Sequence, residues 1–304
     1  MAIFLPPVSR DGLFLSNVFD LLFHLAHALV ERSVEFEQLE GIKYSIKYLQ
    51  FLRGLPLESF DVSRNLVTTS LVQGLGIQVQ AGDGDGDGTR NIKEMVDLCR
   101  ELLTFDSSPS FPSAAFTALN VAAEAEFNRG LPIELLDQVI ECLQDAVKVC
   151  PPSSYHVFIA LVEQLHARFT KTISLDDYEK ATRLLENILD PNRPGECPDS
   201  IRGLASTLAI DLAFSRSVSF KNPEYSEVAI SRLREGLSSP SIDEVLRLQY
   251  SEMLEPVRRA ICLTRHQPKK KTLFFIYRAR QSDRSAHFAA SDRSKGRIRP
   301  PCQK

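Results

Sequence analysis

The chain has 304 residues, 43% of them apolar and 25% charged, with a net charge of only −3. That apolar fraction can cover the interior of several helices. The six cysteines are too scattered for a disulfide framework or paired metal-ligand spacing, so a disulfide-stapled scaffold is excluded and a reduced compartment, the cytoplasm, is expected. The charge is uneven: from Arg265 onward there are 12 Lys/Arg against 2 Asp/Glu, a basic tail behind an acidic body.

Residues 1–12 form an N-terminal segment. Met1–Leu5 is too short for a signal-peptide core, and Pro6 and Pro7 break it. From Leu13 to Val30 the apolar run is interrupted by Asp20, His24 and His27, which predicts a buried helix and no transmembrane segment. Thereafter Pro56, Pro109, Pro151, Pro191 and Pro240 punctuate the chain, and between them lie two apolar-periodic stretches joined by a polar break. Proline stops a helix because it offers no amide and clashes with the preceding turn. The pattern predicts five helix pairs, at residues 13–54, 62–105, 113–149, 154–190 and 200–237. An irregular sixth unit begins at Ile242, with Pro256 expected to kink or split it.

The pairs share a register. In the second helices it runs Ile46, Cys99, Leu143, Leu185, Leu233; in the first helices Leu119–Phe127 and Leu161–Phe169 keep a 42-residue step, each phenylalanine expected to end its helix. Leu136, Val139, Ile140, Leu143, Ala146 and Val147 make one helical stripe. Cap signals agree: Ser174 with Asp177 and Ser241 with Glu244 as capping boxes, Asn222-Pro223-Glu224 as an N-cap followed by proline. No alternating run demands a strand. The fold class is therefore all-α, an α-solenoid of TPR-like helix-turn-helix pairs over residues 13–264, followed by a basic, disordered tail at 265–304.

The loop from Asp83 to Glu94 carries the sharpest chemistry. It matches a calcium-binding EF-hand loop, with Asp83, Asp85 and Asp87 as carboxylate ligands, Gly88 at the sharp turn, Thr89 giving its carbonyl, Asn91 a water-mediated contact and Glu94 a bidentate carboxylate. Arg90 stands where such loops carry an aliphatic residue, and no second loop accompanies it. A multiplied Gly-Asp unit in a solvated break accounts for the same residues. His24 and His27 share a helix face without a third metal ligand. In the tail, Lys269–Lys271 precede Leu273–Tyr277, a basic–aromatic mix able to hold phosphates, although charge alone makes a weak case for nucleic acid. Cys99 and Cys142 fall on core positions.

The stretch Leu165–Phe169, through Ser174–Ala181, to Asn187–Leu189 resembles the tetratricopeptide-type repeats of fungal CHAT-domain proteins, with Arg168, Phe169, Asp177, Ala181 and Leu189 on the matching positions and Ala229 and Leu237 repeating them. The resemblance implies a helical array that ordinarily precedes a caspase-like peptidase domain. No strand–helix alternation follows Leu263, so no protease activity is carried over. The function expected is a non-enzymatic scaffold that binds a protein or peptide partner in a concave groove lined by first helices, with Glu124, Glu126, Glu163, Gln164, Arg168, Asp211 and Arg216 exposed there. The alternatives are a calcium-binding module acting through residues 83–94, or a truncated fragment of a CHAT-type peptidase protein.

Overall fold

A computed structural model describes residues 21–30, 32, 39–54, 61–82, 88–104, 112–190, 197–220, 222–238 and 244–266. Among the described residues every regular element is a helix and there is no strand. Residues 21–30 form α1, followed by α2 (Leu39–Arg53), α3 (Asp61–Ala81), α4 (Gly88–Leu103), α5 (Ser113–Arg129), α6 (Ile133–Val149), α7 (Tyr155–Thr172), α8 (Leu175–Leu189), α9 (Asp199–Phe220), α10 (Pro223–Ser238) and α11 (Glu244–His266). The expected pairs correspond to α1–α2 through α9–α10, with α11 as the odd unit. No described helix is long and apolar enough to cross a membrane.

Local chemistry sets the helix ends. Ser174 Oγ accepts from the Asp177 amide at 3.4 Å and caps α8. The Asp177 carboxylate, however, goes to Arg168 and not into the capping box. Asn222 Oδ1 accepts from the Glu224 amide at 3.0 Å, with Pro223 at the first helical position of α10. Gly130, at φ 111°, turns α5 into α6, a conformation side chains resist. The α7–α8 turn uses Ile173 at φ 57° for the same purpose. Phe127 and Phe169 do not end their helices: α5 continues to Arg129 and α7 to Thr172.

The chain divides into two compact units, one comprising residues up to Glu126 with Leu131–Gln164, the other Phe127–Gly130 with the residues from Leu165 onward. In the first, α2 packs on α3, α3 on α4, and α4 on α6. Its core includes Ile42, Leu49, Leu71, Leu75, Met95, Phe116 and Leu136, all within a few per cent of full burial. In the second, α8 packs on α9, α9 on α10, and α10 on α11. Ile210, Phe214, Ala229, Leu233, Tyr250, Met253, Leu254 and Val257 form its core. This last cluster explains why Pro256 does not split α11, contrary to expectation. Met253, Leu254 and Val257 bury apolar surface on both sides of the proline. That burial offsets the roughly 3 kcal/mol a mid-helix proline costs.

Candidate functional site

A cleft of about 460 Å³ lies within the first unit. Gln73, Gly76, Ile77 and Gln80 come from one face of α3, Ser113, Ala114, Thr117, Ala118 and Val121 from α5, and His156 from α7. The spacing of the α3 residues is that of a single helical stripe. A Cβ at Gly76 would stand 3.3 Å from the Ala118 carbonyl oxygen, so α3 and α5 touch nearly backbone to backbone and form a floor. The lining contains no Asp, Glu, Lys or Arg. Thr117 Oγ1 donates to the Ser113 carbonyl at 3.0 Å, which occupies its proton inside α5. The surface therefore offers amide and hydroxyl groups over small side chains, suited to polar backbone more than to an ion.

The seven positions expected to be exposed on first helices are not exposed; all are buried or half-buried. Gln164 is 1% exposed and donates Nε2 to Asn120 Oδ1 at 2.7 Å, while Asn120 Nδ2 donates to Glu163 Oε2 at 2.7 Å. First helices are enclosed over much of their circumference: Val157 through Val162 of α7 are buried in unbroken succession. A sequence stripe cannot reveal such enclosure. Glu126 turns its carboxylate toward Gly88 at the start of α4, where a Cβ would meet it at 2.4 Å, and an anion is favoured at that helix end.

The second unit holds a denser set of polar and aromatic contacts. Arg168 donates Nε to Asp177 Oδ2 at 2.9 Å and Nη2 to Oδ1 at 2.6 Å, a two-pronged pair on a carboxylate that is itself buried. Phe169 packs on Tyr178 and Phe220, with ring centroids at 5.8 and 6.3 Å. Arg216 lies between two rings, its Cζ 3.7 Å from the Tyr225 centroid and 4.4 Å from that of Tyr178. Ser217 and Ser226 share a hydrogen bond at 2.8 Å. His166 Nε2 and Ser215 Oγ lie 2.9 Å apart, both buried, and tie α7 to α9. That contact was not legible from residues 49 positions apart.

For the calcium expectation, Asp83, Asp85 and Asp87 lie outside the described residues. Thr89, Asn91 and Glu94, expected in a loop, lie in α4, which begins at Gly88. In a helix the Thr89 carbonyl is directed along the axis toward the following turn. Glu94 Oε1 accepts from Gln50 Nε2 at 3.1 Å. No cluster of three metal-type side chains occurs among the described residues. His24 and His27 are exposed and lie against the Phe23 ring, with centroids at 5.9 and 6.3 Å. Cys99 and Cys142, expected singly in the core, are fully buried and in contact with each other across α4 and α6. Burial, reinforced by the neighbouring thiol, pushes the Cys99 thiol well above its usual range. The tail beyond His266 lies outside the described residues. No protein-family model, no curated protein and no solved structure matches the chain.

Proposed function

We propose that the chain is a non-enzymatic protein-interaction scaffold, an α-solenoid of TPR-like pairs that takes an extended peptide against its first helices in the cytoplasm. The observation that carries this is the uncharged cleft on α3, α5 and α7, floored by Gly76 and Ala118 and edged by Gln73, Gln80 and His156. A peptide backbone needs donors and acceptors at close range. Small floor residues let it approach, and a glutamine side chain such as that of Gln73 carries both groups. Stacking of successive pairs is supported by second helix on second helix (α4 on α6) and first on first (α9 with α11). The likeness of Arg168, Phe169, Asp177, Ala181 and Leu189 to CHAT-protein repeats accords with the same reading.

The test is selection of displayed random peptides on the purified chain, followed by calorimetry with Ala114→Trp. Ala114 is exposed at the cleft edge, so an indole there fills the space at little cost to folding. Binding is expected to weaken by about tenfold or more, the equivalent of about 1.4 kcal/mol. Selected peptides that bind Ala114→Trp undiminished would remove the cleft from this role. Failure to select any peptide would remove the scaffold reading itself.

A further inference from the structure

Among the described residues α11 is followed by no second helix, and its two faces differ in chemistry. Tyr250, Met253, Leu254 and Val257 turn inward to the core they share with α9 and α10. The opposite stripe carries Val245, Leu248, Glu252 and Glu255, spaced as neighbours on one helical face. Val245 is 48% exposed and Leu248 62%. Both glutamates are exposed, as is Glu244 at the start of the helix. The outer surface of α11 therefore reads acidic, apolar, acidic along the chain.

The sequence after His266 is its complement. Lys269, Lys270 and Lys271 precede Leu273-Phe274-Phe275-Ile276-Tyr277, and Arg278 and Arg280 follow: basic, apolar, basic. Laid back along α11 in the antiparallel sense, the two patterns fall into step. A helix rises about 1.5 Å per residue, and an extended chain spans about 3.3 Å per residue. Glu255 then lies roughly 16 Å back from His266, and the extended chain reaches about as far at Lys271, whose long side chain takes up what a turn consumes. Leu248 lies roughly 27 Å back, against about 30 Å of chain to Phe275. Glu244 lies roughly 33 Å back, against about 40 Å of chain to Arg278.

We infer that the chain's own segment Lys269–Arg280 docks on the outer stripe of α11 and runs antiparallel to it. Its lysines lie beside Glu252 and Glu255, its aromatic residues over Leu248 and Val245, and its arginines near Glu244. Exposed ion pairs contribute little singly, so the apolar contact supplies most of the affinity while the charges fix direction and register. The docking uses no residue of the cleft on α3, α5 and α7, so either can fail without the other.

The experiment places the photoreactive residue p-benzoylphenylalanine at position 248 of the full chain and maps its adducts by mass spectrometry after irradiation. An adduct to residues 273–277 of the same chain is expected, at the size of a monomer. Glu252→Lys with Glu255→Lys should lower its yield by roughly threefold, two exposed charge pairs being lost together. Both positions are exposed, and circular dichroism should report an unchanged fold. Adding Lys269→Glu, Lys270→Glu and Lys271→Glu to that variant should restore the yield by re-pairing the charges with their signs exchanged. An adduct to a second copy of the chain, no adduct within residues 269–280, a yield unchanged by the reversal in a folded protein, or an exchange of signs that restores nothing would each overturn the docking.

Discussion

The α7–α8 and α9–α10 turns show how one helical register is held by two different chemistries. At α7–α8 the contacts are a buried ion pair and two rings packed at a tilt, Arg168 with Asp177 and Phe169 with Tyr178. At α9–α10 the same positions hold a cation over a ring and a single serine–serine hydrogen bond. The geometry of the turn survives because α8 and α10 are both anchored by apolar residues at equivalent places, Ala181 and Leu185 in one, Ala229 and Leu233 in the other. Polar and aromatic partners are thus interchangeable additions to a turn whose position is fixed by packing, and their energies should differ sharply.

The largest difference should appear at Phe169, which is 0% exposed, stacks on Phe220 and packs at a tilt on Tyr178. Phe169→Ala is expected to cost about 3–5 kcal/mol, measured by urea unfolding, through lost burial and the cavity left behind. A cost below about 1 kcal/mol would mean that the cluster collapses freely, and the contrast between the turns would disappear. Next comes Asp177→Asn, which leaves the Arg168 guanidinium without its countercharge. Breaking a fully buried pair costs about 3–5 kcal/mol. With 21% of the Arg168 side chain still exposed, about 2–3 kcal/mol is expected. Arg168→Gln should recover part of that loss in the double variant, and additive losses would show that the two side chains are not coupled. The smallest effect belongs to Ser226→Ala in the second turn, about 1–2 kcal/mol for the bond with Ser217 and the one Ser226 Oγ donates to the Asn222 carbonyl at 3.2 Å. If it matched Phe169→Ala, the two turns would be energetically equivalent despite their different contents.

Much of this architecture was legible in the residues. Helix starts followed cap chemistry closely, as at Ser174 and Pro223, because capping is decided by amides and side chains within one turn. The second helices were equally plain, since each has one solvated face and therefore an amphipathic stripe; Leu135, Leu136, Val139, Ile140, Leu143 and Ala146 of α6 are buried together. First helices were placed but misjudged in exposure. Gln164 looked like a groove residue and is sealed against Asn120, because a polar side chain can be buried wherever another helix meets its hydrogen-bonding needs. Pro256 was read as kinking or splitting its helix; the helix continues through it, with core contacts on either side.

The sequence by itself determined which segments are helical and which caps start several of them, because both depend on neighbours within one or two turns; it misplaced other ends, such as those of α5 and α7. The tertiary structure alone decided that Cys99 meets Cys142, that His166 meets Ser215, and that Arg216 sits between two tyrosines without a carboxylate. Those partners are close only because separate helices pack at particular distances. A periodic pattern specifies that a face is buried and leaves open which residues lie against it.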